Sequence, residues 1–162
     1  QIKLLQMKKS DDIEVFIPEE IYKVLEFKQE QLPGIAIVND NLKSKNLKKV
    51  FSWNCSILID FDKTIENGMP SEEELKIIEK FEEFLDKKIK GNNKEKPNAL
   101  FFARITWNST RQLIYKIYSP ELANDFLTKL IDSENYPREF NYRIEKDETW
   151  ELTEWYSRNI ED

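Results

Sequence analysis

Histidine is absent from the 162 residues, and cysteine occurs once, at Cys55. These two scarcities exclude His-based catalytic triads, His-ligated metal centres, CxxC redox pairs, zinc fingers and any internal disulfide. Glycine is scarce as well, with only Gly34, Gly68 and Gly91, and no Gly-rich phosphate loop or GxSxG elbow is present. No apolar run approaches the roughly 18 residues that a membrane-spanning helix needs. A cationic excess is also lacking: 31 acids stand against 25 Lys and Arg, for a net charge of −6. That balance disfavours the broad positive surface on which phosphate-backbone binding depends.

What remains is one domain's worth of chain by the soft prior of roughly 150 residues per domain, with a hydrophobic content of 40% to build a core. Internal repeats, low-complexity tracts and Gly/Ser linkers are missing. The negative charge is unevenly placed. Residues 145–162 carry seven acids (Glu145, Asp147, Glu148, Glu151, Glu154, Glu161, Asp162) against Lys146 and Arg158, so −5 of the total −6 lies there. Trp150, Trp155 and Tyr156 are interleaved with those acids, which makes 147–162 an acidic aromatic segment. Such a segment either supplies the last core contacts or displays a negatively charged contact surface. The chain opens on Gln1, and Met7-Lys8-Lys9-Ser10 offers an alternative start that would leave residues 1–6 as an upstream addition. No charged stretch followed by an apolar core marks a secretory signal. With the lone Cys55 in an apolar setting, the expectation is a cytoplasmic protein.

Hydrophobic periodicity divides the chain into a 1–22 extension, a hairpin at 23–40, a core at 55–146 and the C-terminal segment. Residues 23–29 and 35–39 read as strands joined by a loop containing Pro33-Gly34. Residues 41–49 are polar and basic and read as a surface loop with at most one helical turn. The run 55–61 has strand length. Ser71-Glu72-Glu73-Glu74 is a capping box in which the Ser71 hydroxyl accepts from the Glu74 N–H and the Glu74 carboxylate reaches back. Leu75, Ile78, Phe81, Leu85 and Ile89 then recur at helical steps up to Gly91, with Glu79, Glu82 and Glu83 expected to form the wet face together with Lys76, Lys80 and Lys87 at i,i+4 offsets. Strands at 99–107 and 112–118 form a second hairpin. Ser119-Pro120-Glu121 opens a second helix striped by Leu122, Phe126, Leu130 and Ile131, and 140–146 alternates as a last strand. From residue 55 the order is βαββαβ. The expected class is therefore α+β, with a ferredoxin-like core, two helices on one face of an antiparallel sheet, and the N-terminal hairpin extending it.

With that order in place, the sequence resembles the bacterial family DUF695 over about 23–156. The resemblance rests on the run CSILIDFD, on Gly68-Met69-Pro70-Ser71 leading into LKIIEKFEEFLDKK, on Tyr115-Lys116-Ile117-Tyr118 and on Asp147-Glu148-Thr149-Trp150. Members are sometimes joined to a domain similar to the ribonuclease E inhibitor RraB, itself ferredoxin-like, which implies a regulatory or binding role. The family supplies no catalytic residues and no cofactor.

Three functional readings follow. A non-enzymatic protein-interaction domain (inhibitor, adaptor or immunity-type) would use Trp150, Trp155, Tyr156, Glu151 and Glu154 and the sheet face left free by the helices. A metal-dependent hydrolase would use Asp60 and Asp62, which flank Phe61 at a strand end, with a helix glutamate such as Glu79. Single-stranded RNA binding would use Arg104 and Lys116, provided that both point from the helix-free face of the sheet; ordinary pairing with Glu145 or another acid is the alternative for both.

Overall fold

The computed structural model describes Leu4–Gln6 and residues 12–160, and describes side chains from Val15 onward. In chain order the elements are β1 (Leu4–Gln6), β2 (Asp12–Glu14), β3 (Tyr22–Gln29), β4 (Leu32–Asn39), α1 (Lys45–Val50) and β5 (Trp53–Asp60). There follow α2 (Glu72–Lys90), β6 (Ala99–Trp107), β7 (Thr110–Ile117), α3 (Pro120–Ser133), β8 (Phe140–Lys146) and α4 (Glu154–Asn159). Met7-Lys8-Lys9-Ser10, and Glu161 and Asp162 of the acidic segment, lie outside the described residues. No helix among those described is long and apolar enough to cross a membrane.

Six strands form one antiparallel sheet in the order β3-β4-β6-β7-β5-β8, so the chain is α+β, with the N-terminal hairpin joined to the rest through β4 and β6. β1 and β2 pair separately. Both long hairpins turn on two residues: Glu30 and Gln31 have φ of 50° and 67°, and Asn108 and Ser109 have 45° and 65°. Positive φ at both central positions is the type I′ pattern, whose twist matches that of paired strands. The first loop is therefore shorter than the Pro33-Gly34 signal predicts, and both residues belong to β4. Proline is tolerated because the β4–β6 ladder begins only at Gly34, leaving Pro33 paired with Lys28 alone. Gly34 lies across from Phe27, whose Cζ would stand 2.2 Å from a Cβ added there. Only glycine leaves the aromatic ring room.

Both faces of the sheet carry a core. On the first, Ile78, Phe81, Leu85 and Ile89 of α2 and Ala123, Leu127 and Leu130 of α3 pack on Cys55, Ile57, Phe101, Leu113 and Tyr115. Burial makes Cys55 unreactive by pushing its thiol pKa up to about 12. Of the stripe expected for the second helix, Leu130 is buried and Phe126 and Ile131 pack against this core, whereas Leu122 is exposed and Ala123 and Leu127 take core positions beside them. On the second face, Leu47, Val50 and Phe51 join Trp150 and Ile160 over Ala36, Val38, Phe102, Ala103 and Ile114. The basic stretch 41–49 is thus more than a surface loop, because Leu47 and Val50 bury one side of α1. The expectation of a free, helix-less face also fails over this part of the sheet, where α1 and the C-terminal segment cover it.

α2 opens on half of the expected capping box. The Ser71 hydroxyl accepts from the Glu74 N–H at 3.1 Å. The Glu74 carboxylate, however, turns to Arg138, which donates to both of its oxygens at 2.6 and 2.7 Å, while the Asp62 N–H donates at 2.8 Å. Two donors in fork geometry outcompete the local backbone N–H, and this ion pair ties the start of α2 to the entry of β8. Glu74 is fully buried, and the Arg138 guanidinium beside it holds its pKa down at about 2, against an ordinary 4.5.

An acid with a depressed folded-state pKa stabilises the fold above its unfolded pKa and loses that contribution as the pH falls. The Glu74 contribution is therefore complete above about pH 4.5 and disappears toward pH 2. Arg138→Met is expected to cost about 3–5 kcal/mol at pH 7 in urea unfolding, because it strands a buried carboxylate. The variant should also lose the steep decline in stability between pH 4.5 and 2.

Candidate functional site

The two layers are offset across the sheet. α2 and α3 stand over β6, β7, β5 and β8, whereas the C-terminal segment and α1 stand behind β3, β4, β6 and β7. Each face therefore leaves two strands uncovered, and the two strips differ in chemistry. Behind β5 and β8 the side chains are Ser56, Leu58, Asn141, Arg143 and Glu145, mostly polar. Beside α2, β3 and β4 display Tyr22 at 54% exposure, Val24 at 64%, Ile35 at 40%, and the half-buried Ile37. Cross-strand register aligns these residues: Tyr22 faces Asn39, Val24 faces Ile37, and Ile37 faces Arg104, whose side chain reaches α2.

Between this strip and α2 runs a groove of about 360 Å³. Its wall is mainly acidic because Glu79, Glu82, Glu83 and Asp86 follow one another at steps of three, one and three along one flank of α2, with Lys87 beside them. Glu82 and Asp86 are engaged. The Glu82 carboxylate accepts from Arg104 Nε at 2.7 Å and from Arg111 Nη1 at 2.6 Å. Asp86 accepts from the Tyr115 hydroxyl at 2.7 Å and lies 3.1 Å from Lys90 Nζ. Glu79 and Glu83 are exposed and have no cation within ion-pair distance among the described residues. Glu82 is thus not part of a simple solvated face, since two arginines from the sheet hold it. Tyr22 completes the lining: its hydroxyl donates to Glu20, its ring edge meets Phe101, and burial with the Glu20 contact pushes its pKa up to about 12.

Arg104 and Lys116 do not share a face. A β-bulge at Phe102, between the Phe101↔Tyr115 and Ala103↔Ile114 pairs, adds one residue to β6 and reverses its alternation. Leu100, before the bulge, faces Lys116 on the C-terminal side of the sheet, whereas Arg104, after it, faces Leu113 on the α2 side. Lys116 is fully buried. Its ammonium donates to Asn54 Oδ1 at 2.8 Å, approaches Asp147 Oδ2 at 3.5 Å, and lies 5.0 and 5.2 Å from the ring centroids of Phe102 and Trp150. The paired acid is therefore Asp147 rather than Glu145. The arrangement expected of an RNA-binding face, two cations with stacking aromatics on open sheet, is not formed.

The same cluster explains the C-terminal aromatics. Asp147 also accepts from the Glu151 and Leu152 N–H groups, at 2.9 and 3.2 Å, and caps the 3-10 turn Glu151–Thr153. The Trp150 indole N–H donates to the Phe51 carbonyl at 2.8 Å, so this residue is a buried anchor and not a displayed contact. Tyr156 is half-buried against the second core, and Trp155 remains 45% exposed with its ring edge against Phe27. Glu151 and Glu154 are exposed, with Glu154 3.6 Å from Arg158.

Asp60 and Asp62 are exposed at the end of β5, beside Tyr136, Pro137 and Arg138. Lys63 pairs with Glu73 at 2.6 Å rather than with either of them. Glu79 lines the separate α2 groove, and no cluster of three or more metal-ligating side chains exists among the described residues. The strip residues Tyr22, Val24, Ile35 and Ile37, of which Tyr22 also lines the groove, escape a sequence reading that looks for charged or nucleophilic groups. Their one signal is that β3 and β4 are apolar at both parities while β3 lies at the sheet edge.

Burial lowers the Lys116 pKa to about 8, from an ordinary 10.5, despite the neighbouring Asp147. The unfolded chain then holds this proton over a pH range where the folded chain has released it, so stability rises with pH between about 8 and 10.5. Urea unfolding of the wild type and Lys116→Met at pH 7.5 and pH 10 should show the difference moving in favour of the wild type at the higher pH. An unchanged difference would place the Lys116 pKa at its ordinary value.

A family model described as a family of unknown function, DUF695, matches residues 29–156. No curated protein and no solved structure matches the chain. The match begins at the last residue of β3 and takes in β4, α2, the β6–β7 hairpin and the Lys116–Asp147 anchor, and by it the chain belongs to the DUF695 family.

Proposed function

We propose that this chain is a non-enzymatic protein-interaction domain, of inhibitor, adaptor or immunity type, that engages its partner through the uncovered β3–β4 strip. The observation that carries this reading is the contrast between the two uncovered strips of one sheet. The strip behind β5 and β8 is mostly polar, as solvent exposure favours, and the strip beside α2 exposes Tyr22, Val24 and Ile35. Contiguous apolar surface with a polar rim marks an interaction site more often than scattered exposed residues do. The acidic C-terminal segment contributes less than its composition suggests, since Trp150 and Tyr156 serve the second core.

The order β6-β7-β5-β8, with α2 and α3 on one side, supports a ferredoxin-like reading of residues 55–146. In that reading β3 and β4 widen a four-strand unit on one edge, and the added strands carry the contact surface.

Co-purification from the source cell tests the proposal. A stoichiometric partner should be retained by the wild type and by Trp155→Ala, and lost with the double variant Val24→Glu/Ile35→Glu. Both substituted positions are exposed, so the variant should melt within a few degrees of the wild type. Absence of any stoichiometric partner, or its retention by the double variant, would sink the reading.

A further inference from the structure

We propose that the occupant of the β3–β4 strip is a basic amphipathic helix of a partner protein, lying beside α2 as the third helix of the layer. This deepens the docking reading above and rests on it. The first argument is one of width. Strands lie about 4.8 Å apart and a helix with its side chains is about 10 Å across, so one helix roofs about two strands. α2 and α3 roof four of the six strands, and the remaining width is that of one more helix. The eight residues of β3 extend about 27 Å, which corresponds to about 18 helical residues at 1.5 Å each.

The second argument is the chemistry of floor and wall. Tyr22, Val24, Ile35 and Ile37 offer an apolar floor suited to side chains at i, i+3, i+4 and i+7 of a docked helix. Along the wall, Glu82 is neutralised by Arg104 and Arg111, and Glu79 and Glu83 outnumber Lys87 among the exposed charges left without an ion-pair partner among the described residues. The outer strand carries Glu26 and Lys28, both exposed on the same side of the sheet as Val24, and adds no net charge, so the acidic excess comes from α2. A helix with Lys or Arg flanking its apolar stripe on the α2 side satisfies both surfaces, and an acidic helix is repelled by the same wall. Strand addition to the outer edge of β3 would pair backbone groups and leave the apolar floor uncovered, so a helix fits the observations better than a strand.

Selection from a yeast-displayed library of 18-residue helical peptides against the intact protein tests this. The enriched sequences should carry an apolar stripe with Lys or Arg on one flank. Their affinity should fall about tenfold between low and high salt, as expected for exposed complementary charge. Glu79→Gln/Glu83→Gln should weaken them several-fold, and Val24→Glu/Ile35→Glu should abolish binding. Val24→Ser/Ile35→Ser serves in its place if the charged pair melts early. Enrichment of acidic or neutral helices, or of extended sequences, overturns the proposed chemistry while leaving the docking reading intact. Binding indifferent to the Val24 and Ile35 substitutions overturns both. Sedimentation of the free protein as a dimer that Val24→Glu/Ile35→Glu dissociates would make a second copy the occupant and overturn the partner helix.

Discussion

The structure depends on a sheet whose central strands are buried on both faces. β6 and β7 carry α2 on one side and the C-terminal segment on the other, and nearly every side chain of this pair is excluded from water. A strand in that position cannot relax by turning a misfit residue to solvent. The bulge at Phe102 therefore governs much of the molecule: it sends Phe101 to the α2 core, Phe102 and Ala103 to the opposite core, and Arg104 back toward α2. Each later residue of β6 takes its face from that single insertion.

Burying both faces forces the polar residues of the central strands to find partners inside. Arg111 and Arg104 share Glu82, and Lys116 finds Asn54, Asp147 and two aromatic rings. No buried side-chain nitrogen or oxygen among the described residues lacks a hydrogen bond. These contacts also fix position, because charge-assisted bonds tolerate little displacement. The Arg104–Glu82–Arg111 group sets α2 over β6 and β7, Arg138–Glu74 sets its first turn against β8, and Asp147 sets the turn that brings Trp150 onto Phe102. With Glu82 held by the sheet, Glu79, Glu83 and Lys87 are the groove charges without an ion-pair partner among the described residues, an excess of one acid.

The offset of the two layers turns this packing into a surface. A C-terminal segment placed squarely opposite α2 and α3 would have left β3 and β4 bare on both sides. Instead its Trp155 meets Phe27, Tyr156 and Leu25 pack against the second core, and the other side of the same strands stays open beside an acidic helix. The exposed apolar strip is a consequence of where the covering elements end.

Local signals in the sequence determined the elements themselves: the helical steps of Ile78, Phe81, Leu85 and Ile89, the Ser71 and Ser119 caps, the alternation of Phe140, Tyr142 and Ile144, and the order of strands and helices from residue 55. These depend on contacts a few residues apart, which composition and spacing record directly. Placement of Lys116 and Arg104, burial of Trp150, the diversion of Glu74 from its cap to Arg138, and the exposure of Val24 and Ile35 beside α2 were decided only by the tertiary structure. Each turns on a partner distant in sequence or on one inserted residue at Phe102, and a strand's alternation carries no mark of the position at which it will be reversed.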